Sequence, residues 1–208
     1  MRVLGIDEAG RGCVLGDLFI AGFCADDPDD EALRAAGAND SKKLARARRD
    51  RARAGLLALG EVVVARVTPA EIDAGKLNHL EEQAIVQLVR RFRPDHVYLD
   101  ALGAPATLPA LIARLQRALP SDLQPAWTVE PKADSTYAVV GAASIFAKTD
   151  RDDALQALDP DGQLGSGYPS DPTTRRWLAA HAATGAPWPA FVRTRWGTIQ
   201  DLAQKSLL

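Results

Sequence analysis

The order in which two kinds of hydrophobic pattern occur along the chain is its strongest constraint on fold. In the first 68 residues, three runs carry the β-branched and aromatic content of strands: residues 2–7, 17–25 and 61–68. The first two are joined through a glycine-containing turn, and the three together suit an antiparallel meander. From residue 78 the pattern becomes an alternation, helical over 78–92, strand over 96–100, helical over 108–119, strand over 126–130 and helical over 138–158. Strands separated by helices of this length pair in parallel through helical crossovers. After residue 160 glycine and proline punctuate the chain. A helix starts near Ser170-Asp171-Pro172, and a last short one from about Gly197, past a proline-rich link. The expectation is a mixed α/β sheet flanked by helices, with a helical C-terminal portion from about residue 160, in a single domain covering residues 1–208.

Composition serves mainly to exclude. With 208 residues, 47% of them apolar and 25% charged, the chain can build a full core without disulfides or a structural metal. Its two cysteines, Cys13 and Cys24, form no disulfide framework and have no partner at zinc spacing, which favours a reducing compartment. The longest uncharged apolar stretches, 18–25 and 137–147, fall short of the ~20 residues of a membrane helix. Asp7 and Glu8 stand where a signal peptide would be apolar. A cytoplasmic protein with no membrane association is expected.

Net charge is −2, from 25 basic and 27 acidic residues, which argues against a general polyanion binder. The charges are nevertheless unevenly spread: residues 26–31 hold five acids, and residues 42–53 hold seven bases and one acid. Within the basic block Lys42, Arg46, Arg49 and Arg53 recur at spacings that place them on one helical face, suited either to a phosphate backbone or to plain solvation.

The acids carry the chemistry. Asp7 and Glu8 close the first strand and run straight into Gly10-Arg11-Gly12; adjacent carboxylates at a strand end cannot both be buried in a core. A second apolar run, Val97-Tyr98-Leu99, ends in Asp100, and Asp134 follows the strand at 126–130. Active sites of open α/β sheets gather at the carboxyl ends of strands. If the four acids converge, mutual repulsion raises their pKa values unless cations compensate. An all-oxygen set with no Cys or His suits Mg2+ or Mn2+, and paired metals are a recurring device for phosphodiester hydrolysis.

The blocks Gly5-Ile6-Asp7-Glu8-Ala9-Gly10-Arg11-Gly12, Asp40-Ser41-Lys42-Lys43-Leu44, Tyr98-Leu99-Asp100, Lys132-Ala133-Asp134-Ser135, Ala142-Ala143-Ser144-Ile145-Phe146-Ala147-Lys148 and Gly165-Ser166-Gly167-Tyr168-Pro169-Ser170-Asp171-Pro172 occur in an order that resembles the type 2 ribonuclease H family, ribonuclease HII. The ending Phe191-Val192-Arg193-Thr194-Arg195-Trp196-Gly197-Thr198 is more similar to archaeal-type members. The resemblance implies a ribonuclease H-like fold, with Asp7, Glu8, Asp100 and Asp134 as catalytic ligands of two Mg2+ or Mn2+ ions. It implies a monomeric endoribonuclease that acts on RNA/DNA hybrids and on ribonucleotides embedded in duplex DNA. Such an enzyme cuts 5′ of the ribonucleotide and leaves a 3′-hydroxyl and a 5′-phosphate. Gly10, Arg11 and Gly12 are implied to read the ribose 2′-hydroxyl, Lys42 to contact phosphate, and Tyr168 to pack on the following deoxyribose. A ribonuclease H-like DNA nuclease, or a noncatalytic hybrid-binding module, would share the fold. One departure stands out: Cys13 and Asp17 occupy positions where the family loop usually has proline, which removes two φ-fixing residues and adds an acid beside the expected phosphate path.

Overall fold

A computed structural model describes residues 1–38, 46–101 and 105–205, the side chains of residues 46, 47, 105 and 203–205 aside. Its strands are β1 (Arg2–Ala9), β2 (Leu18–Asp26), β3 (Glu61–Val67), β4 (His96–Asp100) and β5 (Ala126–Glu130). Its helices are α1 (Asp30–Ala35), α2 (Arg46–Leu56), α3 (Pro69–Ala74), α4 (Leu77–Phe92), α5 (Leu108–Ala118), α6 (Ala133–Thr136), α7 (Ala138–Leu158), α8 (Pro172–Ala183) and α9 (Gly197–Lys205). The strands form one sheet in the order β3-β2-β1-β4-β5. The antiparallel meander is as expected (β1 with β2, β2 with β3), and the expected parallel pairing of helix-separated strands (β4 with β5) extends to β1, which pairs with β4.

Because side chains alternate across a strand, β1 feeds two cores. Leu4 and Ile6, with Val97 and Leu99 of β4, face Ile85, Leu88 and Val89 of α4 and Leu111 and Leu115 of α5. Val3 faces the other way, into a cluster built on Val139, Val140, Ala142, Ala143 and Phe146 of α7 with Leu33 and Leu56. The first ten residues of α7 are buried throughout, so this stretch is apolar on all sides rather than striped. It lies so close to β1 that a Cβ on Gly5 would stand 2.2 Å from the Val139 carbonyl carbon. A third cluster joins Val14 and Leu15, from the loop between β1 and β2, to Leu164, Leu178, Val192 and Ile199, with Trp177, Trp188 and Trp196 packed around it. The C-terminal helices therefore seat on that loop.

Three short helices, α1, α3 and α6, are not legible in the sequence pattern. The acidic run over residues 26–31 is only partly a solvated block: Asp29 caps α1 by accepting from the amides of Glu31 and Ala32, and Asp30 and Glu31 lie in the first turn, where the helix dipole favours acids. Asp26 pairs with Arg2, and Asp27 with the N-terminal ammonium. Thr68, expected at the end of a strand, is instead the N-cap of α3 in a full capping box with Glu71.

Candidate active site

β1 continues to Ala9, two residues past its expected end, so Asp7 and Glu8 are strand residues paired with Ala21 and Ile20 of β2. Alternation then sends the two carboxylates to opposite faces. Asp7 follows Val3 and Gly5 toward α7, and Glu8 follows Leu4 and Ile6 toward α4. The parallel register Ile6↔Leu99 brings Asp100 beside Asp7 at the end of the neighbouring strand. Asp100 Oδ1 accepts from the backbone N–H of Ala133 at 3.0 Å, which ties β4 to the start of α6 and draws in the buried Asp134. Asp7, Glu8 and Asp100 line one cleft with Gly10, Arg11, Gly12 and Tyr168. Lys42 lies outside the described residues.

The charge in this cleft is only partly balanced. Burial pushes the Asp7 carboxyl up to about 6, against the pull of Lys148 and a hydrogen bond from Ser144. Burial together with the charges of Asp7, Glu81 and Asp100 pushes Glu8 up to about 8, Arg11 opposing. The Lys148 ammonium lies 4.0 Å from Asp7 Oδ2 and 3.8 Å from Asp134 Oδ2. It is steadied by a 2.7 Å hydrogen bond to Ser144 one turn earlier on α7. Among the described residues no three His, Cys, Asp or Glu side chains already form a metal-ready group. On the Asp7 side the protein's own cation stands between two of the four acids.

Two residues absent from the sequence reading bear on the site. Glu81 of α4 is buried and accepts from Arg11 Nε at 2.8 Å, while Arg11 Nη2 donates to Asn78 at 2.7 Å. The other oxygen of Glu81 is buried without a hydrogen-bond partner among the described residues. Glu81 stands in the apolar stripe Leu77, Glu81, Ile85, Leu88, Phe92, and an acid at helical spacing inside such a stripe is a detectable signal. Arg151 of α7 lies over the Tyr168 ring at 5.2 Å and donates to Cys13 Sγ and to the Ser166 carbonyl. The loop before α8 is held by Asp171, whose carboxylate accepts from the Ser166 and Thr173 amides and is pulled down to about 2 by them. Thr174 accepts from Gly167 N–H at 2.9 Å. Tyr168 is therefore presented from a braced loop, with its ring beside Gly12.

Two expectations from the sequence are corrected. Asp17 does not add a free charge beside the cleft: it is buried and paired with Arg66 Nε at 2.5 Å. Nor are Arg49 and Arg53, the two side chains of the basic helix face that lie within the described residues, left to solvent. Arg49 pairs with Asp152 and Arg53 with Asp150, both on α7, and the Arg53 guanidinium lies 5.1 Å over Phe146. His79 is exposed and hydrogen-bonded to Gln83, while the other two histidines pack against aromatic rings. His96 stacks on Tyr98, His181 on Trp177, and Trp127 packs against the core.

A mixed sheet with helices on both faces, an antiparallel meander joined to a parallel half, and acids at the shared carboxyl end define a ribonuclease H-like protein. The likeness to solved structures agrees. A ribonuclease H2 from Pyrococcus horikoshii superposes with a TM-score of 0.88 at 35% identity, covering 99% of this chain and 98% of that one. The ribonuclease HII of a PCNA complex from Archaeoglobus fulgidus gives 0.85 at 35% identity over the same shares. The family model for ribonuclease HII matches residues 4–199. Ribonuclease HII of Archaeoglobus fulgidus is 38% identical over 98% of this chain and 97% of its own length, and that of Aeropyrum pernix 39% over 96% and 89%. The chain belongs to the ribonuclease HII family.

Proposed function

We propose that this chain is a divalent-metal-dependent endoribonuclease that cleaves RNA in RNA/DNA hybrids and at ribonucleotides embedded in duplex DNA. It cuts 5′ of the ribonucleotide, leaving a 3′-hydroxyl and a 5′-phosphate. The observation that carries the reading is the meeting, in one cleft, of Asp7, Glu8 and Asp100 with the Gly10-Arg11-Gly12 loop and Tyr168. Family membership supplies the substrate class.

The donor set fits two hard cations. It offers carboxylate oxygens alone, and burial raises Asp7 and Glu8 toward neutrality, the nearby Lys148 and Arg11 opposing only in part. Asp7, Glu8, Asp100 and Asp134 would hold Mg2+ or Mn2+. Bound there, the ions supply an activated water and stabilise the charge of the leaving oxygen. The chain's residues do the rest. Backbone groups of Gly10 and Gly12 can approach a sugar closely because no side chain intervenes, and a 2′-hydroxyl is the group that separates RNA from DNA there. The exposed Tyr168 ring offers a flat apolar surface on the cleft rim, set by Arg151.

The test compares three duplexes: an RNA/DNA hybrid, a DNA duplex holding one ribonucleotide, and its all-DNA twin, each with Mg2+ or Mn2+. Cleavage of the first two alone, with a 5′-phosphate on the ribonucleotide fragment, is the expected result. Cleavage of the all-DNA twin would make it a DNA nuclease, and binding without cleavage would make it a hybrid-binding module.

A further inference from the structure

Arg193, in the segment between α8 and α9, is wholly buried. Its Nε donates to the Gly16 carbonyl at 2.9 Å and its Nη1 to the Arg11 carbonyl at 3.0 Å. Its own backbone N–H donates to the Val14 carbonyl at 2.9 Å, and Gly16 N–H returns a bond to the Phe191 carbonyl at 2.8 Å. The guanidinium lies over Trp196 at 5.1 Å, and Nη2 is buried with no hydrogen-bond partner among the described residues.

Such an arrangement is a poor source of stability. A guanidinium has five donors to satisfy, and here a neutral carbonyl serves each of two nitrogens while the third has none. Burying a charge costs several kcal/mol. An apolar side chain of similar length would fill the same space without that cost. What the guanidinium provides is geometry: one rigid planar fork holds two carbonyls at a fixed separation, which a lysine ammonium cannot do. Those carbonyls belong to Arg11 and Gly16, on either side of Cys13, in the stretch that lacks proline at 13 and 17. The Arg11 side chain is fixed separately, by Glu81 and Asn78.

We infer that Arg193 is a positioning residue for substrate recognition, in which one buried guanidinium, bonded to the carbonyls of Arg11 and Gly16, supplies the rigidity that prolines would give the Gly10–Gly12 loop. This rests on the reading of that loop as the substrate-reading element. Arg193 is bonded to none of the four acids, so it acts on substrate binding and not on the metal centre.

The test uses the full chain with Arg193→Lys and Arg193→Met. Amide hydrogen exchange at residues 11–16 is expected to rise about tenfold or more in both, with β1 and α7 protected as before. KM for an RNA/DNA hybrid should rise about tenfold with kcat within about threefold, and Mn2+ affinity measured by calorimetry should be unchanged. Loop exchange unchanged in both folded variants overturns the inference, as does a rise shared equally by β1 and α7, or a loosened loop with an unaltered KM. If the unsubstituted chain cleaves no hybrid, the functional reading fails, and the exchange measurement still decides whether Arg193 fixes the loop.

Discussion

Replacing Glu8 by Gln should stabilise the metal-free protein while destroying its activity, and the size of the gain should depend on pH. In the folded chain the Glu8 carboxyl is held at about 8, against an ordinary value of 4.5. Between those values the folded state keeps a proton that the unfolded chain has released. The stability associated with this group is thus present below about 4.5 and lost as pH rises through about 8. A shift from 4.5 to about 8 corresponds to roughly 5 kcal/mol if the site were dry. Glu8 retains some contact with solvent, which screens the repulsion, and a gain of about 2 kcal/mol from the amide is the working figure. For a chain of this size that raises the melting temperature by about 4–8 °C. The assay is thermal unfolding of both proteins with chelator at pH 5 and pH 9. The variant should melt higher at pH 9 and nearly equal at pH 5, where the acid of the folded protein is already neutral. Adding Mn2+ at pH 9 should reverse the order, because the ion stabilises only a chain that binds it. An equal gain at both pH values, or none at pH 9, would refute the view that uncompensated charge on Glu8 strains the metal-free site.

Asp134→Asn should lower turnover by about a hundredfold or more in either metal, with an unchanged circular dichroism spectrum, since the amide keeps the shape and removes a ligand charge. Tyr168→Ala should reduce kcat/KM on a single-ribonucleotide duplex about tenfold more than on a long hybrid, where junctions are few; equal losses would return the ring to a packing role. Gly5→Ala should cost about 3 kcal/mol or more in urea unfolding, because its Cβ meets the α7 backbone rather than a side chain able to move. Arg53→Gln should destabilise by about 1 kcal/mol and leave the salt dependence of substrate binding unaltered. A log–log slope shallower by about 0.9 would show that Arg53 serves a phosphate instead of Asp150.

Much of this was legible in the residues, and the reasons differ from element to element. The antiparallel meander and the parallel pairing followed from the switch between consecutive and helix-separated strands, because chain connection limits pairing; that β1 joins the two halves did not. Strand ends marked Asp7, Glu8 and Asp100 as candidates, but their meeting needed the β1–β4 register, which the residues alone did not give. What escaped were long-range ion pairs. Nothing near Arg53 in sequence names Asp150, and nothing near Asp17 names Arg66. A basic stripe has the same appearance whether it meets phosphate, water or acids on another helix. Lys148 was quoted within its block without a role, because its position opposite Asp7 depends on how closely α7 seats on Gly5.

The two faces of β1 compensate their acids differently, and under the proposed function the difference would link metal to substrate. On the Asp7 side the counterion is Lys148, carried on a long buried helix and held by Ser144. On the Glu8 side it is Arg11, which belongs to the loop proposed to read the ribose and is already committed to Glu81. A substrate that drew Arg11 toward itself would leave Glu81 buried with neither oxygen partnered, and Glu8 facing Asp7, Glu81 and Asp100 without relief. A cation held by Glu8 would offset that loss, so occupation of the acids would lower the cost of releasing Arg11. By linkage, a substrate that engages Arg11 must favour the cation by the same factor. If the loop reads substrate and the acids hold a cation, the Glu81–Arg11 pair, buried at its Glu81 end, would be the element that couples the two.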